Sequence, residues 1–197
     1  EYAHDVLDRR VPVDYEYTNT HDYYIYANKG RFVEHLKRII VDPKQTSRWD
    51  GAIHALGIVG SVDNSELPLS VLTNYAQRWE KLGNNSDKVV PMLNRLYVAI
   101  AQYGGNEALA FLEPRAQSSF WGDDMPTKLN VYSHSTHIST HTAQSEAMFA
   151  LSHYGLDTGV GRELLAKLLK QFKAEGNEIM VYRAEGALRH LNDALNS

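Results

Sequence analysis

The chain has 197 residues, a formal net charge of −4 from 20 Lys and Arg against 24 Asp and Glu, and no cysteine. That length suits one domain with a covered core or one segment of a repeat array, and the interleaved acids and bases disfavour a nucleic-acid binder, which needs a basic footprint. Without cysteine there are no disulfides, thiolate zinc sites or thiol catalysis, and no apolar run is long enough to span a bilayer.

The sequence starts at Glu1 and not at Met, which is compatible with a signal peptide or further domains upstream. Cysteine-free composition is commoner in bacterial proteins outside the cytoplasm, so a bacterial periplasmic or secreted location is the expectation. Residues 1–29 stand apart from the rest of the chain. V-P-V-D-Y-E-Y and D-Y-Y-I-Y are compatible with an extended segment or loose hairpin, or with Tyr15, Tyr17, Tyr23, Tyr24 and Tyr26 lying over the first helical unit as a cap. The cap is the preferred expectation, because an uncovered terminal repeat leaves its core in water.

From residue 30 onward two kinds of helical segment alternate. Phe32, Leu36, Ile39 and Ile40 mark one apolar face, and A-I-H-A-L-G-I-V-G (52–60) comes after it. Leu69, Leu72, Tyr75, Ala76 and Trp79 mark the next face, followed by L-Y-V-A-I-A-Q-Y-G (96–104). Ala108, Leu109, Phe111 and Leu112 precede a long connection and then A-M-F-A-L-S-H-Y-G (147–155). Leu164, Leu165, Leu168, Leu169 and Phe172 precede A-E-G-A-L-R-H-L-N (184–192).

The four second segments align without gaps. Ala55, Ala99, Ala150 and Ala187 form an invariant column, followed by Leu56, Ile100, Leu151 and Leu188, and each row closes with Gly60, Gly104, Gly155 or Asn192. Gly or Asn suits the left-handed residue that terminates a helix, so each row is predicted to be a helix end. The alanine column predicts close approach of neighbouring helices. Closing residues 44 apart (60 to 104), 51 apart (104 to 155) and 37 apart (155 to 192) fall in the range of helical repeats. The predicted fold class is therefore all-α, an α-solenoid of about four helix pairs with an extended N-terminal segment.

Through A-L-G-I-V-G (55–60), A-Q-Y-G-G-N-E-A-L-A-F-L (101–112) and A-L-S-H-Y-G (150–155), the chain resembles the HEAT-repeat family. The resemblance covers roughly residues 30–195 and implies a HEAT-like repeat domain over 30–197 with an insertion at 118–141. It implies fold far more than function, since such arrays serve as scaffolds, adaptors, peptide binders, chromophore-lyase relatives and a few repair enzymes.

The insertion, S-S-F-W-G-D-D-M-P-T-K-L-N-V-Y-S-H-S-T-H-I-S-T-H, is much longer than an antiparallel helix pair needs, which marks it as a candidate binding element. Phe120 and Trp121 either form an aromatic tip that anchors a partner or tuck between helices to hold the insertion down; the tuck is favoured. His134, His137 and His141 have spacings that would share one side of a helix and could ligate zinc. The Ser and Thr around them compete for backbone hydrogen bonds, and Thr140 or Thr142 reads as the N-cap of the helix bearing Met148 and Leu151. A solvated or weakly ordered loop without a metal is thus expected there. No H-E-x-x-H, G-x-S-x-G, phosphate-binding loop or dinucleotide fingerprint occurs in the sequence.

The row alignment also defines polar columns. Gly51, Arg95, Glu146 and Arg183 precede the alanine column by a turn, and Ile58, Gln102, His153 and His190 lie one heptad on, sharing a face. Stacked second helices would set Arg95, Glu146 and Arg183 side by side and bring His153 near His190. In HEAT arrays the second helices line the concave groove, so the resemblance implies that this stripe faces it. The expected function is a non-catalytic protein-interaction or scaffolding module, without cofactor, that binds a protein or peptide through Arg95, Gln102, Glu146, His153, Arg183, His190, Phe120 and Trp121. The alternative is a HEAT-like enzyme or cofactor-binding protein, metal-dependent or chromophore-lyase-like, that uses the His-rich insertion.

Overall fold

A computed structural model describes residues 29–63, 66–131, 138–154 and 159–196. The cap expected of the N-terminal tyrosines lies outside these residues, as do His134, His137 and the helix end expected at Gly155. Among the described residues the helices are α1 (Lys29–Val41), α2 (Trp49–Asp63), α3 (Glu66–Glu80), α4 (Val89–Tyr103), α5 (Gly105–Arg115), α6 (Ala143–Leu151), α7 (Val160–Ala174) and α8 (Glu178–Asn196). A hairpin of β1 (Thr127–Val131) and β2 (Ile138–Thr142) interrupts them between α5 and α6. The described residues are thus all-α apart from that hairpin.

Burial follows the apolar periodicity. α1 buries Val33, Leu36, Ile39 and Ile40 and leaves Glu34, His35 and Arg38 in water. α4 differs because its buried residues, among them Val89, Met92, Leu93, Leu96, Tyr97, Ile100 and Ala101, leave only a narrow polar strip. A helix apolar over most of its circumference must be surrounded, and α4 packs against α2, α3, α5 and α6. The even-numbered helices touch in succession, α2 on α4, α4 on α6 and α6 on α8, while α1, α3, α5 and α7 each pack on the next helix in the chain.

Ala55, Ala99, Ala150 and Ala187 are all buried in this succession. The closest approach is between α2 and α4, where a Cβ placed on Gly57 would lie 2.7 Å from the Ala99 carbonyl oxygen. Backbone meets backbone there, and only a residue without a side chain fits opposite the alanine. Gly161 has the same role at the start of α7, since a Cβ there would lie 2.5 Å from Tyr154 O and 2.6 Å from Leu151 O. Tyr154 in turn donates from its hydroxyl to Gly105 O (2.8 Å), tying the end of α6 to the start of α5.

Helix ends only partly match the row endings. Gly104 ends α4 at φ 75°, its N–H bonded to Ile100 O. α2 continues past Gly60 to Asp63, and α8 continues past Asn192 to Asn196, so neither residue is a terminator. A glycine or asparagine inside a helix is disfavoured by only about 1 kcal/mol or less, so neither residue alone obliges a helix to end.

The solvated or weakly ordered loop expected for the histidine run is corrected over its described residues 138–142, which form β2. β1 and β2 pair antiparallel from Thr127 opposite Thr142 to Val131 opposite Ile138. The hairpin root is pinned from the α3–α4 connection, where Asn84 Oδ1 accepts from Thr127 N (2.7 Å) and Asn84 Nδ2 donates to Met125 O (3.3 Å). Ala143 N donates to Pro126 O (2.9 Å), which closes the root onto α6.

Candidate functional site

α6 starts where the hairpin ends, and its first turn sets the geometry of the polar stripe. Thr142 Oγ1 accepts from Ser145 N (3.0 Å) and Ser145 Oγ accepts from Thr142 N (3.0 Å), a reciprocal capping box. Thr142 is thus the N-cap, one of the two residues predicted for it. The cap fixes Glu146 one turn in, where it is buried. Glu146 Oε2 accepts from Asn94 Nδ2 of α4 at 2.5 Å, and Oε1 lies 2.8 Å from His141 Nδ1 of β2. Both carboxylate oxygens are engaged, so Glu146 braces α4, α6 and the hairpin together.

The charged column does not form a ladder. Arg95 is exposed and pairs with Asp50 of α2 (2.9 Å), and Arg183 donates from Nη2 to Thr140 O (2.9 Å). Each member has a different partner: Asp50 for Arg95, Thr140 O for Arg183, and Asn94 with His141 for Glu146. His141 sits on a strand beside Glu146, so the shared helical face its metal-binding role would require is absent. Among the described residues no group of three or more His, Asp or Glu is placed to hold a metal ion.

The second column does meet. His153 of α6 and His190 of α8 have ring centroids 4.7 Å apart at 52°. Phe149 packs against both, at 5.1 Å and 5.4 Å, and is itself part exposed. His190 Nδ1 lies 3.1 Å from Ser152 Oγ, and that hydroxyl lies 2.6 Å from Phe149 O. Burial, with a smaller contribution from His190, lowers the His153 pKa to about 4. His153 Nε2 and Gln102 Oε1 are out of water with no hydrogen-bond partner among the described residues. Buried polar atoms are nearly always paired, so two orphans in one column are unusual.

At the base of the insertion, Trp121 is half-buried against the core and donates from Nε1 to Arg115 O (2.8 Å), the tuck expected for it. Phe120 stays exposed, edge-on to Trp121 at 4.9 Å, and borders an open hollow with Glu113, Pro114, Gln117 and Ser119. The Arg115 guanidinium lies over the Phe111 ring (3.5 Å) and 4.7 Å from Phe120. It makes a fork onto Glu80, Nε to Oε1 at 2.7 Å and Nη2 to Oε2 at 3.0 Å, and Tyr97 donates its hydroxyl to Glu80 Oε1 (2.8 Å). Burial, then the Glu80 charge, raise the Tyr97 hydroxyl well above its ordinary pKa. This network is fully paired and reads as a lock between α3, α4 and α5.

Sequence reasoning missed Asn94, Ser152, Phe149 and Asp50. Each lies beside or one turn from a residue of the polar columns, but their roles need partners on other elements. Among the described residues no helix is long and apolar enough to cross a membrane. Compared with protein-family models, curated proteins and solved structures, the chain matches none.

Proposed function

We propose that the pairs α1–α2, α3–α4, α5–α6 and α7–α8 form a short HEAT-like α-solenoid, a non-catalytic interaction or scaffolding module that binds an extended protein or peptide along the face of its even-numbered helices. The observation that carries this reading is the packing order, α2 on α4 on α6 on α8, with a buried alanine at the equivalent place in each. Such a succession repeats one surface along its length, which suits an extended partner. Arg95 and His190 are exposed on that surface, and Gln102 and His153 are half-buried on it. Glu146 has both carboxylate oxygens engaged, and Trp121 acts as a fastener, so Phe120 is the part of the insertion offered to the partner.

The test is affinity capture from envelope and lysate fractions of the source organism, followed by titration of the captured partner against R95E, Q102A and F120A proteins. Arg183 is left in place because it holds Thr140 O. R95E should keep the parent's melting temperature, since the Arg95–Asp50 pair is exposed and such pairs are worth about 0–1 kcal/mol. R95E and Q102A should each weaken binding about fivefold or more, the effect of losing about 1 kcal/mol. Parent-like binding by both would move the interaction to another face.

A further inference from the structure

The His153–His190 pair has a feature that partner binding does not require. Ser152 Oγ is 2.6 Å from Phe149 O, and a carbonyl oxygen only accepts, so the single hydroxyl proton is directed there. His190 Nδ1, 3.1 Å from the same oxygen, must therefore be the donor in that contact. This fixes the tautomer of His190 with its proton on Nδ1 and a lone pair on Nε2. Histidines that ligate metals are oriented in this way, by an oxygen that accepts from the ring nitrogen turned away from the metal.

His153 supplies the second imidazole, its Nε2 buried and unpaired, on the adjacent helix. The 4.7 Å between ring centroids is close to the spacing of two imidazoles on one ion, roughly 5 Å for metal–nitrogen distances of about 2.0–2.1 Å and a tetrahedral angle. Phe149 flanks both rings, and His190 is the exposed member of the pair. We infer that His153 and His190 bind one divalent transition-metal ion of the Cu2+ or Zn2+ class through their Nε2 atoms, with water completing the shell. A donor set of two neutral nitrogens selects such ions over Ca2+ and Mg2+, which take oxygen ligands.

The experiment uses the full chain, untagged and stripped with EDTA, titrated with Cu2+ at neutral pH by calorimetry and electron paramagnetic resonance. The expected result is one equivalent whose spectrum shows two nitrogen ligands. H190L and H153L should each weaken that equivalent at least about tenfold and remove the two-nitrogen pattern, while H134A/H137A leaves it intact. S152A should keep both nitrogens but bind several-fold more weakly, because Ser152 only orients the ring. Zn2+ should raise the melting temperature of the parent and not of H190L. Since His190 is exposed, H190L carries the test even if H153L fails to fold. Unchanged binding in H190L, or loss only in H134A/H137A, overturns the site. Both readouts use the chain alone, so neither depends on the partner reading.

Discussion

Replacing Gly57 by Ala tests the packing of the even-numbered helices at its tightest point. The added methyl would sit 2.7 Å from Ala99 O, 3.0 Å from Ala99 Cα and 3.1 Å from Ala99 Cβ. Favourable carbon contacts lie near 3.5–4.0 Å, so α2 and α4 must separate by roughly half an ångström or more. The obstructing atoms are mostly backbone and cannot turn aside as a side chain could. Overpacking of this kind costs about 1–3 kcal/mol, and the better helix propensity of alanine returns about 1 kcal/mol. With a backbone obstacle the upper part of the range applies, for a net loss of about 1–2 kcal/mol. Gly186→Ala in α8 is the control, because its methyl would meet only the flexible end of Arg189 at 3.8 Å. That variant should gain about 0.5–1 kcal/mol. Urea unfolding followed by far-ultraviolet circular dichroism gives both values from the midpoint at constant slope. A Gly57→Ala midpoint at or above the parent's refutes the close approach.

Glu80→Ala should destabilise by about 3–5 kcal/mol in thermal or urea unfolding, because the buried Arg115 loses its fork and Tyr97 its acceptor. Thr142→Ala should lose about 1 kcal/mol through the α6 cap, with hydrogen exchange rising first in that turn. In metal-free protein, His153 makes stability depend on pH between 6.5 and about 4, since the unfolded chain takes up a proton near 6.5 and the folded ring only near 4. Its contribution is full above pH 6.5 and is lost as pH falls through 4. The drop corresponds to at most about 3 kcal/mol, reduced by water around the half-buried ring to about 1–2 kcal/mol. H153F should flatten that part of the profile, and an unchanged slope would assign it to other groups.

The helix pairs were legible because their signal is local and repeated. One apolar face per segment and an alanine every repeat require no knowledge of distant residues, and α1 to α8 fall where those faces lie. The meeting of His153 and His190 was legible for the same reason, as equal positions on successive helices. Gly60 and Asn192 misled because neither residue type by itself obliges a helix to stop, and α2 and α8 run on past them. The hairpin was hidden because its pinning residue, Asn84, lies 43 positions before Thr127. Burial of Glu146 was hidden likewise, since Asn94 is 52 positions away and His141 lies on a strand the sequence did not announce. The Arg115–Glu80–Tyr97 lock joins three helices through side chains with no periodic pattern at all.

The closed root of the hairpin gives the chain a natural grafting point. Pro126 and Ala143 are joined by a backbone hydrogen bond, and Thr127 faces Thr142, so the excursion leaves and returns one strand spacing apart. Lengthening a loop between ends already held together changes the closure entropy only as the logarithm of its length, about 0.6 kcal/mol per doubling. The segment between Val131 and Ile138 can therefore be exchanged for foreign sequence of quite different length while the helices keep their register. A lineage, or an engineer, could vary that segment without renegotiating the core.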